Sequence, residues 1–90
     1  MVPPRSEDFR KQLAKLFASA TEMGFVAVDV SAGNLHRRVG GYPDGDHRMP
    51  ICCEVMRQAI AARDEIVDAP PSGKGARLTV RYRLPRPKRQ

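Results

Sequence analysis

Four side chains in this 90-residue sequence have the chemistry of soft-metal ligands: His36, His47, Cys52 and Cys53. A structural zinc site needs four such ligands to converge on one ion in tetrahedral geometry. Cys52 and Cys53 are adjacent, and adjacent residues of a helix point about 100° apart. The spacing therefore predicts no metal site. Instead, Cys52 is expected in the core, Cys53 is expected to be partly exposed, and both histidines are expected at the surface or in turns.

The same residues give little support to catalysis. A Cys–His nucleophilic pair needs a third group that orients the base, and the sequence suggests none. Acidic residues are scattered singly, so a carboxylate pair for metal-assisted hydrolysis is unsupported. The segment Gly73-Lys74-Gly75 is too short for a phosphate-binding loop, and no predicted helix follows it. We expect a non-enzymatic protein with no catalytic residues and no cofactor.

Positive charge is concentrated in the C-terminal half. Residues 1–45 contain six Lys/Arg and five Asp/Glu, whereas residues 46–90 contain ten and five, for a net charge of +6. From Lys74 onward, seven residues are basic and none is acidic. This asymmetry is typical of proteins that bind a phosphate backbone. The alternative is a solubilising surface with a basic tail.

Length and composition favour one cytoplasmic domain. Ninety residues hold a single core, and no apolar run approaches the roughly 20 residues of a membrane helix. The N-terminal residues have no apolar segment of the secretory type. Because adjacent cysteines cannot join distant parts of the chain, we interpret them as reduced thiols in the cytoplasm. No membrane partner is predicted.

Periodicity in the N-terminal half predicts a helix, a strand and a second helix. Ser6 is expected to cap the first helix, which has apolar residues every three or four positions and ends at Gly24. The β-branched segment 25–30 predicts a strand. Ser31 is expected to cap a second helix over residues 32–39.

The C-terminal half predicts a third helix and a β-hairpin. The helix starts near Pro50, or earlier at Asp46 or His47, after a turn rich in Gly, Pro and Asp. Residues 65–69 and the alternating segment 77–84 form the hairpin around a flexible tip. One common core is predicted from Phe9, Leu13, Leu16, Phe17, Val28, Leu35, Val55, Leu78 and Val80.

This order of elements predicts an α+β fold, a winged helix-turn-helix with three helices, one short strand and a C-terminal hairpin as the wing. The domain is predicted over residues 8–85, between an N-terminal extension over 1–7 and a basic tail over 86–90. The turn before the third helix is longer than the 3–4 residues of a simple helix-turn-helix. We therefore expect either that the third helix starts earlier, at Asp46 or His47, or that the turn is an elaborated one.

Two segments resemble a family of small bacterial and phage winged-helix-like proteins found near or fused to HNH-type restriction endonucleases. They are Ser31-Ala-Gly-Asn-Leu-His-Arg-Arg-Val-Gly-Gly-Tyr-Pro43 and His47-Arg-Met-Pro-Ile-Cys-Cys-Glu-Val-Met56. The ending over residues 70–85 is similar too, so the resemblance covers about residues 8–85. It implies a DNA-linked context, as a regulator or accessory of a phage or restriction system. The sequence has no HNH-like metal site.

Double-stranded DNA is the predicted partner. The third helix would offer donors to base edges, where Arg–guanine and Gln–adenine pairs fit best. The second helix and the wing would contact phosphates. The predicted DNA-binding set is Arg48, Arg57 and Gln58 for bases, Arg37 and Arg38 on the second helix, Lys74 and Arg77 on the wing, and Arg81 and Arg83 along the approach to it.

A protein-interaction module is the alternative function. A small basic domain of this kind could bind and inhibit an acidic host or defence protein without catalysis, and a homodimer is compatible with the sequence. The fold alone does not choose between these functions. Salt dependence separates the two functions. DNA binding releases counterions from the duplex, so its affinity falls steeply as the salt concentration rises.

Overall fold

A computed structural model describes residues 4–40, 48–71 and 75–86. In this part of the chain three helices and a three-stranded antiparallel sheet follow one another in the predicted order, which makes the fold α+β. The elements are α1 (Ser6–Glu22), β1 (Ala27–Ser31), α2 (Ala32–Val39), α3 (Met49–Gln58), β2 (Glu65–Asp68) and β3 (Thr79–Arg83).

Helix α1 starts one residue earlier than its predicted cap implied. Arg5 has an extended backbone and takes the cap position, so Ser6 is the first helical residue. The side chain of Asp8 accepts a hydrogen bond from the Arg5 backbone N–H at 2.8 Å and satisfies one donor of the helix start. The helix ends where predicted, because Gly24 adopts a φ of +88° that other residues rarely tolerate.

Strand β1 starts two residues later than predicted. The backbone N–H of Phe25 donates to the carbonyl of Ala20, in a hydrogen bond that closes the turn after the end of α1. Phe25 and Val26 therefore precede the strand and are exposed. Helix α2 has the predicted bounds, and the hydroxyl of Ser31 accepts from the Asn34 N–H, as expected of a cap.

Strand β3 lies between the other two strands, in the order β1–β3–β2, and is antiparallel to both. The hairpin is confirmed with a shorter second strand than the predicted 77–84. Because side chains alternate along a strand, Val80 and Tyr82 pack into the core. Arg81 and Arg83 therefore lie on the opposite, outer face of the sheet.

The core lies between the three helices and the inner face of this sheet. Of the nine predicted core residues, six are buried, and Leu16, Phe17 and Val28 pack against them partly buried. Cys52 is buried as expected, and the buried set also includes Val30, Ala32, Met49, Cys53, Met56 and Tyr82. Within the described ranges, no helix is long and apolar enough to cross a membrane.

Candidate nucleic-acid interface

Helix α3 has one exposed side. Pro50, Glu54 and Arg57 are exposed and follow one another at spacings of four and three residues, so they form a row along the helix. The opposite side holds Cys52 and Met56, which are buried in the core. Within the described residues, packing thus leaves this row of α3 accessible to a partner.

The loop between β2 and β3 lies beside this row. We call residues 69–78 the hairpin loop; residues 72–74, including Lys74, lie outside the described part. The thiol of Cys53 contacts the Gly75 carbonyl at 3.5 Å. Burial raises the pKa of the Cys53 thiol, and the positive charge of Arg57, one turn further on, offsets part of that rise. Arg57 therefore lies close to the point where Cys53 contacts the hairpin loop at Gly75.

The hairpin loop also packs against the start of α2. The backbone N–H of Gly33 donates to the carbonyl of Ala76 at 3.0 Å, and that of Ala32 donates to Leu78 at 2.8 Å. A Cβ on Gly33 would lie 3.3 Å from the Cβ of Ala76, closer than most side chains tolerate. The loop is thus fixed between α2 and α3 by contacts on both sides.

A buried histidine joins the start of α3 to α2. The N–H of Arg48 donates to Nε2 of His36 at 2.7 Å, and the His36 ring packs edge-on against Phe9. The expectation that His36 lies at the surface is wrong, because its ring fills the core between α1 and α2. The exposed Arg48 is held beside the end of α2, which carries Arg37 and Arg38. His47 lies outside the described residues.

Six of the predicted DNA-binding residues lie on these neighbouring elements and are exposed: Arg37, Arg38, Arg48, Arg57, Gln58 and Arg77. The side chain of Arg77, on the hairpin loop, is 68% exposed and forms a 3.5 Å ion pair with Asp68. Arg37 and Arg38 on α2, Arg48 just before α3 and Arg57 on α3 carry four positive charges. Helix α2 has no acidic residue and α3 has one, Glu54, so the net charge is +3. We call Arg37, Arg38, Arg48, Arg57 and Arg77 the basic surface.

The structure separates Arg81 and Arg83 from the basic surface. Both lie on the outer face of the sheet, away from the helices. The Arg81 guanidinium donates to both oxygens of Asp29, at 2.8 and 3.1 Å, and Glu65 lies within 3.7 Å of each arginine. The hydrogen bond from Arg81 lowers the pKa of Asp29. Carboxylates thus balance the charge of these two arginines.

Gln58 is also exposed, but it lies at the edge of the exposed side of α3 that is farther from Arg57. It follows Arg57 directly, so their side chains point about 100° apart. Gln58 lies seven residues after Ile51 and on the same side of α3. There it lines a groove shared with Phe17 of α1 and with Pro85.

Asp64, which belongs to no motif or charge pattern in the sequence, is a buried carboxylate. Its side chain is 1% exposed and accepts hydrogen bonds from the N–H groups of Ala61 and Arg83, both at 2.7 Å. The guanidinium of Arg86 completes the set at 2.8 Å. Burial would raise the pKa of Asp64, but these hydrogen bonds outweigh it and lower the pKa. Asp64 is therefore charged and fully bonded.

Arg86, which the sequence places in the basic tail, is anchored in the fold. Its guanidinium donates to the Ala59 carbonyl at the end of α3 at 2.7 Å. It also stacks 5.0 Å from the ring centre of Phe17 and 5.2 Å from that of Tyr82. The Tyr82 hydroxyl in turn donates to the Met56 carbonyl. Arg86 thus ties the end of β3 to the end of α3.

The two cysteines point to different elements. The Cys52 thiol contacts the Ala32 carbonyl at 3.4 Å, on α2, whereas the Cys53 thiol contacts the hairpin loop. The expectation that Cys53 is partly exposed is wrong, because the loop covers it. Burial raises the pKa of Cys52 to about 12, so the thiol is protonated at neutral pH. The described residues contain no group of three or more side chains able to hold a metal ion.

Comparisons with protein families, curated proteins and solved structures find no match to this chain.

Proposed function

We propose that this protein is a winged-helix protein that binds double-stranded DNA, with α3 as the recognition helix and the hairpin loop as the wing. The contact between Cys53 and Gly75 carries this proposal. It joins the hairpin loop to α3 next to the exposed row of that helix. A helix and a loop that present arginines side by side can contact adjacent parts of one duplex.

The dimensions of α3 suit the major groove. A helix with its side chains is about 10–12 Å in diameter, which fits the groove of B-DNA, about 12 Å wide, and the ten residues of α3 extend over about 15 Å. Arg57 would donate to guanine O6 and N7, and Glu54 in the same row would accept from cytosine N4. Arg48, at the start of the helix, supplies a further donor to a base edge or a phosphate.

The remaining arginines of the basic surface would contact phosphates. Arg37 and Arg38 lie at the end of α2, and Arg77 lies on the hairpin loop, so they flank α3. Phosphate contacts of this kind fix the position of a protein on the duplex without reading sequence. Arg81, Arg83 and Gln58 have no part in this binding mode.

We propose that binding involves no catalysis. The protonated, buried thiols of Cys52 and Cys53 are poor nucleophiles. His36 uses its Nε2 to hold Arg48 and lies in the core, out of reach of a substrate. Together with the resemblance in sequence, this supports a regulator or accessory of a phage or restriction system.

Fluorescence anisotropy with labelled random duplexes and single strands, at low and moderate salt, tests the proposal. We expect tighter binding to duplex, weakening log-linearly with salt. On sites that the wild type selects from a random library, the Arg57→Ala variant should lose about 1–3 kcal/mol of binding free energy. On random duplex its loss should be much smaller. Arg63→Ala is the matched control, because Arg63 is exposed in the turn after α3 and outside the basic surface.

The absence of duplex binding by the wild-type protein at low salt would refute the proposal. Equal losses for Arg57→Ala and Arg63→Ala would refute the assignment of α3 as the recognition helix, because that result means non-specific attraction by net charge alone.

A further inference from the structure

A groove of about 760 Å³ runs along α1 on the side of the molecule that Gln58 faces. Ala14, Phe17 and Ala18 of α1 form one wall, and Ala59 with Pro85 forms the other. The lining is largely apolar. The DNA-binding proposal uses none of these residues.

Three large apolar side chains extend this groove. Met23, Phe25 and Val26 are 71%, 55% and 74% exposed. They directly follow Glu22, which lines the groove, and the carbonyl of Val26 accepts a hydrogen bond from the residue before Pro85. Exposed apolar side chains grouped near an apolar groove mark an interaction site more often than scattered ones do.

We propose that this groove is a self-association surface that takes α1 of a second copy of the chain, antiparallel to its own. The charges along α1 select this occupant. Arg10 and Glu22 line the two ends of the groove, and each lies six residues from Leu16. Leu16 itself faces the core and marks only the level along α1 at which the two-fold axis passes. In this arrangement Arg10 of each copy lies opposite Glu22 of the other, so two ion pairs form at once.

Small residues occupy the middle of the same arrangement. Ala14 and Ala18 each lie two residues from Leu16, so each meets the other residue of the second copy. Alanines at the crossing let two helices approach to the 8–10 Å typical of packed pairs. A parallel pairing would instead place Arg10 against Arg10 and Glu22 against Glu22, which is repulsive.

Arg10 and Glu22 are both exposed and therefore accessible to a second copy of the chain. Among the described residues, Arg10 and Glu22 form no ion pair. They cannot pair with each other, because twelve residues of helix separate them by about 18 Å. The self-association is independent of DNA binding, since the basic surface and the groove share no residue.

Charge reversal tests the proposal, with sedimentation velocity over a wide range of protein concentration as the measurement. We expect a reversible dimer for the wild-type protein. Arg10→Glu or Glu22→Arg places like charges together at two points of the dimer, and each should weaken association about tenfold. The double variant R10E/E22R restores both pairs with exchanged signs and should recover wild-type association.

Arg38→Glu and Glu54→Arg are the matched controls, since they make the same charge changes at exposed positions outside the groove. Both should dimerise as the wild type does. Ala18→Arg should abolish the dimer while circular dichroism stays unchanged, and its urea unfolding should match that of the wild type at protein concentrations where the wild type is monomeric. A monomeric wild type at all concentrations would overturn the proposal, as would a dimer that the single reversals leave intact or that the double variant fails to restore.

Discussion

The outer face of the sheet and the basic surface both carry arginines, but their charge balance differs. The three strands contain two arginines and three acidic residues, Asp29, Glu65 and Asp68, for a net charge of −1. Helices α2 and α3, with Arg48, have a net charge of +3. Arginines on the sheet therefore pair with carboxylates of neighbouring strands, whereas those on the helices leave a net positive charge, on which the proposed DNA binding depends.

Arg86 represents a third use of arginine, inside the fold. Its carboxylate partner Asp64 is buried, whereas Asp29, the partner of Arg81, is largely exposed. Burial removes water from the ion pair, so its partners depend on each other more strongly than those of a surface pair. Arginine thus has three roles in this domain: Arg86 packs inside the fold, Arg81 and Arg83 pair with carboxylates on the sheet, and the basic surface is proposed to bind DNA.

The largest expected effect comes from breaking the buried pair. Asp64→Ala leaves the Arg86 guanidinium without its carboxylate and two backbone N–H groups without an acceptor. We expect a loss of about 3–5 kcal/mol in the free energy of unfolding, measured by urea denaturation. Asp29→Ala, which breaks the exposed pair on the sheet, is the matched control and should change stability far less. Similar losses in both variants would contradict the distinction between the two pairs.

Lowering the pH should also weaken the buried pair of Asp64 and Arg86, because it protonates Asp64. The pKa of folded Asp64 is lowered, so its stabilising contribution is present above the ordinary aspartate pKa of about 3.9. That contribution is lost as pH falls from about 4 through the lowered value. We expect urea unfolding at pH 6 and pH 3 to show a steeper loss for wild type than for Asp64→Ala. Equal losses would mean that Asp64 does not titrate as the structure implies.

A smaller effect is expected at the histidine that holds the basic surface to the core. His36→Leu removes the acceptor of the Arg48 N–H at the start of α3. We expect a loss of about 1–3 kcal/mol in unfolding free energy, together with weaker duplex binding by the folded variant. His36→Gln keeps an acceptor oxygen and should lose less in both measurements. Equal losses for the two variants would show that the hydrogen bond to Arg48 is unimportant.

Local signals explain why much of the fold could be predicted. The bounds of α2 follow from its cap at Ser31, and the alternation of residues 77–84 indicates a strand with one buried face. Contacts between distant residues have no such signal. The pairs His36–Arg48, Asp64–Arg86 and Asp29–Arg81 are 12, 22 and 52 residues apart.

The candidate site was harder to predict for the same reason. Residue types alone do not separate the arginines of the basic surface from Arg81 and Arg83, because only the strand register shows which carboxylates lie opposite these two. Gln58 was selected with Arg57 although a helix turns about 100° between neighbours. Which side of α3 packs against α1 is a property of the folded chain.

The smallest expected effect tests the two kinds of exposed arginine directly. Arg77→Ala removes one proposed phosphate contact from the hairpin loop, so the slope of log K against log salt should fall by about one for any duplex sequence. The loss in affinity should be modest, because DNA binding must also break the ion pair of Arg77 with Asp68. Arg81→Ala removes the same charge from the sheet, where Asp29 and Glu65 balance it, and should leave the slope unchanged. Equal changes in slope would mean that net charge, and not its placement, governs binding.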